Sequence, residues 1–413
     1  MYKKHVLENG LTIIGEEIPY VKSISLGVWI NAGSRIENEN ISGVSHFIEH
    51  MLFKGTTNRT SKQLASEIDN LGGQINAFTS KECTCYYVKL LDSHIDIGID
   101  VLSDMILNSK FNEDDLDKER SVIIEELKMY EDSPEDLAYD LLTENIYKDD
   151  PLGMNIIGTE DSLKQLDREK LLEYFNKYYV PNNSVISVSG NFKFDEIVNK
   201  IEEKFKTWKK SEVNVDIKKA EFKSCFLAKN KDTEQVNLAI SLEAVPLEND
   251  KEVYALAVIN TIFGGSISSR LFQKIREEKG LVYSIYSSQS LYRKCGELGI
   301  FASMSNDNLK EVYDSIIEEI KYMKKYYLTD SEIKESKEQL KGSYILGLES
   351  TSSRMMSIGR ALLLNNKVES SDDILKAIDN VDKEIVKSVI DKMFNVDKLG
   401  VCIVGRDVEE QKL

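Results

Sequence analysis

The chain has 413 residues, too many for one ordinary domain and comfortable for two. Its 70 acidic against 53 basic residues give a formal charge of −17, which argues against a nucleic acid or an anionic membrane as partner. Hydrophobic residues at 41% and charged residues at 30% fit soluble globular domains.

The opening MYKKHVLENGLTIIGEE has no long apolar run after its lysines, and no later window approaches bilayer length. Neither a signal peptide nor membrane insertion is expected. The cysteines, Cys83, Cys85, Cys225, Cys295 and Cys402, form an odd, scattered set. Without a secretory signal they point to reduced thiols and a cytoplasmic location.

In chain order, ISLGVWI (residues 24–30) precedes a loop and then SGVSHFIEHMLFKG (residues 42–55). Ser42 is the expected N-cap and Gly55 the expected residue just past the end. Val44, Phe47, Ile48, Met51 and Leu52 recur at helical spacing and make one core-facing stripe. His46, Glu49 and His50, at i, i+3 and i+4, make a second stripe beside it. Two imidazoles a turn apart supply half of a tetrahedral zinc site, and a neighbouring carboxylate can take a proton from the attacking water. The pattern H-x-x-E-H is the inverse of the H-E-x-x-H zinc motif.

Residues 74–90 read as successive alternating strands, followed by a helix from about Ile95. Within this run Cys83 and Cys85 point to one face. Packing is the expected role, because no second Cys or His pair lies nearby. The next helix, residues 113–130, has Leu116, Ile123, Leu127 and Tyr130 as its apolar stripe. Glu119 and Glu126 lie on that same side, two turns apart, whereas Glu125 is turned about a hundred degrees from Glu126. A carboxylate on a core-facing side needs a cation, and the H-x-x-E-H helix offers one.

The chain also repeats itself. Residues 162–190, shifted by 215, fall on 377–405 without a gap. Leu163, Leu166, Leu171, Phe175 and Tyr178 then meet Ile378, Val381, Val386, Ile390 and Met393. ISLGVWI likewise resembles VNLAISL (residues 236–242). The expected architecture is α+β: two homologous α/β-sandwich halves related by internal duplication, each a mostly antiparallel or mixed sheet covered by helices. The expected boundaries are residues 1–207, a charged linker over 208–222, and residues 223–413.

At these residues the sequence resembles the pitrilysin/insulinase family of zinc peptidases, in its mitochondrial-processing-peptidase-like branch. The likeness runs through GSRIENENISGVSHFIEHMLFKGT, GGQINAFTSKECTCYY, KERSVIIEELKMYEDSPED, PLGMNIIGTEDSL and GGSISSRLFQKIREEKGLVYS, and so covers both halves. It implies one zinc per chain on His46, His50 and Glu126, since 75 residues lie between His50 and Glu126, as in the family. It implies Glu49 as catalytic base and Glu119 as the carboxylate that orients the ligands from behind. It implies an edge strand, Asn76-Ala77-Phe78-Thr79, that pairs with an extended peptide. Arg276 and Tyr283 fall on the pair that the family's second half brings near the scissile carbonyl. Composition alone reads Arg276 as a solvated helix residue and Tyr283 as a packed strand residue. The implied function is zinc-dependent endopeptidase action on peptides or unfolded segments, with a possible processing role, in a homodimer. The alternative is a non-catalytic structural or partner subunit of the same family.

Overall fold

The computed structural model describes residues 2–408. Strands β1 (Lys3–Val6), β2 (Thr12–Glu17), β3 (Ser23–Ile30), β4 (Gln74–Thr79), β5 (Thr84–Leu91) and β6 (Ser184–Gly190) form one sheet in the order β1-β2-β6-β3-β5-β4. Strands β7 (Cys225–Asn230), β8 (Val236–Ala244), β9 (Val282–Leu291), β10 (Gly296–Met304) and β11 (Leu399–Gly405) form a second, ordered β7-β11-β8-β10-β9. Each sheet has one parallel pair, β2 with β6 and β7 with β11, and its other neighbours are antiparallel. Apart from β1, the two orders correspond strand for strand. The repeat read from the sequence holds to the residue: the helix Arg168–Tyr178 and β6, shifted by 215, are the helix Lys383–Met393 and β11.

The compact units do not follow chain order. One comprises residues 1–127, 154–216 and 345–370; the other comprises 128–153, 217–344 and 371–413. Each unit thus includes one helix from the other half of the sequence. The expected cuts at 207 and 223 miss this exchange, because helix boundaries carry no sign of which sheet a helix will cover.

The first unit shows how its sheet takes two unlike partners. Ile24, Leu26, Val28 and Ile30 on β3, with Tyr86, Val88 and Leu90 on β5, face the main apolar core. The alternate residues form a polar seat for the helix Thr351–Asn365, as the two-residue period of a strand requires. There Ser25 Oγ lies 2.9 Å from Thr351 Oγ1, and Trp29 Nε1 donates to Ser187 Oγ at 2.8 Å. Arg354 pairs with the buried Glu16 at 2.6 Å. Gly359 is needed at this seat, since a Cβ would come within 2.2 Å of Trp29 Nε1.

In the second unit the helix Pro134–Ile146 covers β8 and β11. Ala138, Leu142 and Ile146 meet Ala239, Cys402 and Val404 in a small separate core. Residues 208–222 contain no helix or strand, but Trp208 and Ala220 are buried, so the segment is tied down near both ends. All five cysteines are free. No helix among the described residues is long and apolar enough to cross a membrane.

Candidate metal centre

The helix Val44–Leu52 buries the predicted stripe: Val44, Phe47, Ile48, Met51 and Leu52 are all inside. Its start differs from expectation. The N-cap is Gly43 at φ +88°, with no side chain to accept a helix amide, rather than Ser42. A residue at that φ is most easily glycine. The helix ends at Leu52 with Phe53 as its C-cap, two residues before Gly55.

The opposite carboxylates come from the helix Glu113–Asp132. Leu116, Ile123 and Leu127 are buried on it as predicted, whereas Tyr130 is 37% exposed, so the apolar stripe stops a turn early. Glu125 is exposed and Glu126 half-buried, in line with their separation by one helical step.

His46, His50 and Glu126 converge, each offering one atom within 4.8 Å of the others. Glu126 Oε2 lies 3.7 Å from His46 Nε2 and 3.5 Å from His50 Nε2. Ligand atoms around a tetrahedral zinc, bonded at about 2.0–2.1 Å, stand about 3.4 Å apart. The set therefore has the spacing and the donor chemistry of a zinc site, and its separations exceed those of ordinary hydrogen bonds.

His50 is fixed from behind. Its Nδ1 lies 3.1 Å from Glu119 Oε2, and Lys54 Nζ lies 2.6 Å from the other oxygen of Glu119. A proton on Nδ1, donated to Glu119, leaves the Nε2 lone pair for a metal. By helical period Glu119 and Glu126 read alike as carboxylates in need of a cation. The structure gives Glu119 the Lys54 ammonium, a partner four residues after His50 and just beyond the helix end. His46 has no such anchor, and among the described residues its buried Nδ1 finds no hydrogen-bond partner.

Charge follows these contacts. Burial, then the neighbouring His50, pushes His46 down to about 4. Burial also opposes charge on His50, but contacts with Glu126 and Glu119 win and hold it above its ordinary value. The His50 ring holds the Glu126 carboxyl below the usual range against the opposing effect of burial.

Glu49 sits between the two histidines in sequence and turns to the sheet, where Thr79 Oγ1 donates to its carboxylate. Burial raises its pKa, and the Thr79 bond partly offsets this. Thr79 ends β4, which is the free edge of the first sheet. Along β4, Gln74 and Asn76 are exposed and Ala77, Phe78 and Thr79 half-buried. The Ala77 N–H is occupied by the Asn76 side chain at 2.8 Å. The predicted strand residues thus line an open sheet edge that touches Glu49.

Arg276 and Tyr283 lie in the second unit and are joined to each other. Arg276 Nε donates to the Tyr283 carbonyl at 2.9 Å, and its guanidinium stacks 4.6 Å from the Phe272 ring. Arg276 belongs to a π-helical turn, Phe272–Glu278. The Tyr283 ring is 75% exposed on β9, an edge strand, which corrects the packed position that composition suggests.

This duplicated fold and its H-x-x-E-H helix facing a glutamate define the class of inverted-motif zinc peptidases. Residues 12–160 match the model described as Insulinase (Peptidase family M16), and residues 165–340 match Peptidase M16 inactive domain. The chain is 41% identical over 397 residues to "Uncharacterized zinc protease YmxG" of Bacillus subtilis (strain 168), covering 96% of this chain and 97% of the relative. It is 36% identical over 402 residues to an "Uncharacterized zinc protease" of Rickettsia felis, covering 97% of each. It superposes on "a protease from Helicobacter pylori" with a TM-score of 0.91 at 20% identity, over 98% of this chain and 99% of that one. The chain belongs to the insulinase family, peptidase family M16.

Proposed function

We propose that the chain is a zinc-dependent endopeptidase acting on peptides or unfolded segments bound in extended form. The observation that carries this reading is the meeting of three metal-donor atoms with a half-buried carboxylate, Glu49, that touches the free edge strand β4. One zinc per chain would be held by His46, His50 and Glu126. Bound there, it would polarise a carbonyl and make a water more acidic.

The chain's own groups supply the rest. The free edge of β4 pairs with an extended substrate backbone, which gives affinity with little demand on sequence. Glu49 accepts a proton from the attacking water and returns it to the departing amine. Burial raises its pKa above the ordinary carboxyl value, which makes it a better proton acceptor than an exposed glutamate. In the same proposal Arg276 holds the substrate and Tyr283 donates to the developing oxyanion. The exposed Tyr283 ring and the anchoring of the Arg276 guanidinium support these roles.

The test is hydrolysis of a quenched unstructured peptide by wild type and Glu49→Gln, with zinc measured on the same preparations. Wild type should cleave, chelator should abolish cleavage, and Glu49→Gln should keep its zinc while losing about a hundredfold or more in rate. A zinc-loaded wild type without hydrolysis would overturn the enzyme and leave the partner-subunit alternative. Near-normal turnover of zinc-loaded Glu49→Gln would remove Glu49 from the role of base.

A further inference from the structure

The motif GSRIENEN, just before the zinc-motif helix, has no part in the chemistry above, yet it contains buried charges. Arg35 and Glu82 form an ion pair at 2.7 Å, with side chains only 2% and 4% exposed. Glu37 is 3% exposed. A buried charge is costly unless it is paired or hydrogen-bonded, so each of these groups calls for an account of what it holds.

Residues 33–35 cross the turn that joins β4 to β5. Ser34 N–H donates to the Ser80 carbonyl at 3.2 Å and Arg35 N–H to the Lys81 carbonyl at 2.7 Å. The Arg35 side chain then reaches Glu82 in the same turn. Gly33 permits the approach, since a Cβ there would lie 2.2 Å from the Ser80 carbonyl oxygen. Two residues on, Glu37 faces the other way. Its two oxygens accept the N–H groups of Gly43 at 2.7 Å and Ser45 at 2.9 Å. These are amides at the start of the zinc-motif helix, which has no cap of its own because Gly43 occupies that position. A carboxylate there satisfies unpaired donors and complements the positive end of the helix.

We infer that Arg35 and Glu37 are positioning residues: together they bracket the zinc-motif helix to the β4–β5 turn, and so set Glu49 and the two histidines against Thr79 and the substrate edge. Thr79 is the residue before Ser80, which the bracket grips, and Glu49 is one helical turn beyond Ser45. The relative placement of base and edge strand therefore passes through a segment only a few residues long. Small displacements at a reacting group cost rate steeply. Burial pushes the Glu37 carboxyl up to about 7, opposed by its donors on Ser45 and Gly43 and by the Lys81 charge. The bracket rests on the peptidase reading for its effect on rate, but its effect on metal release does not.

The test compares wild type with Glu37→Gln and Glu82→Gln. Glutamine has one acceptor oxygen for the two amides that Glu37 serves, and its NH2 group would face the second donor. A core variant in the helix Phe194–Phe205, Val198→Ala, serves as control for lost stability. The readouts are kcat and KM per zinc-loaded molecule, the rate of zinc release to a chelator, and melting temperature. Glu37→Gln should lower kcat about tenfold or more with KM within about twofold, and should release zinc several-fold faster. The control should change neither. Should Glu37→Gln fail to fold, Glu82→Gln carries the same expectation from the turn side. Wild-type kcat and zinc release in the folded variant, whatever its melting temperature, would overturn the bracket. An inactive wild type would count against the peptidase reading alone, because zinc release still reports on the bracket.

Discussion

The Lys54–Glu119–His50 chain can be perturbed at one atom. Glu119 is 5% exposed, and its two oxygens are divided between the His50 ring at 3.1 Å and the Lys54 ammonium at 2.6 Å. Glu119→Gln keeps the shape but leaves one acceptor for two donors. If that oxygen faces His50, the amide NH2 confronts the ammonium; Lys54, whose side chain is 32% exposed, can turn to water at little cost. The His50 bond then survives but is no longer charge-assisted, and the metal loses a nearby negative charge. Loss of such a support costs roughly ten- to a hundredfold in metal affinity, or about 1.4–2.8 kcal/mol. Competition with a fluorescent zinc chelator at fixed pH measures it. Lys54→Met is the complement: it leaves the His50 bond in place and strips a buried carboxylate of its counter-ion, so it should lower melting temperature more than zinc affinity. A folded Glu119→Gln protein that binds zinc within about threefold of wild type would refute the support role of Glu119.

Glu126→Gln should lose most of its zinc by elemental analysis whereas Glu125→Gln keeps it, because only Glu126 faces the two imidazoles; equal retention would mean that the ligand is misassigned. Zinc uptake should weaken as pH falls through the raised pKa of His50, by up to about tenfold per pH unit, since the metal must displace that proton; titrations across pH check this. For folding of the metal-free protein the sign is opposite: a raised histidine pKa stabilises below the unfolded value of about 6.5, and that contribution is lost as pH rises through the folded value. His46, held down at about 4, contributes with the opposite sign, so the difference between melts of chelated wild type and chelated His50→Ala should show it. Tyr283→Phe should lower kcat roughly ten- to a thousandfold with zinc content unchanged, and Arg276→Ala should act mainly on kcat/KM; unchanged turnover of folded Tyr283→Phe would remove it from the chemistry.

What the sequence determined by itself was whatever follows from period and local order. A helix places i, i+3 and i+4 on one side whatever surrounds it, so the apolar stripe of residues 44–52 and the convergence of His46 with His50 were legible. The same rule separated Glu126 from Glu125. The repeat at 215 fixed the helix Lys383–Met393 and β11 to the residue, because a duplicated pattern preserves element boundaries. Tertiary structure alone decided what depends on partners distant in the chain. Glu119 is held by Lys54, Thr79 by Glu49, and Glu37 caps a helix that begins seven residues later through a loop without periodicity. Which sheet each exchanged helix covers was equally invisible. The seat of Thr351–Asn365 is made by serines and a tryptophan on the outer face of β3 and β6, and that polarity reads in sequence as solvent exposure. Only when the helix arrives do those hydroxyls find partners, and a buried polar group is recognisable by its partners, not by its identity.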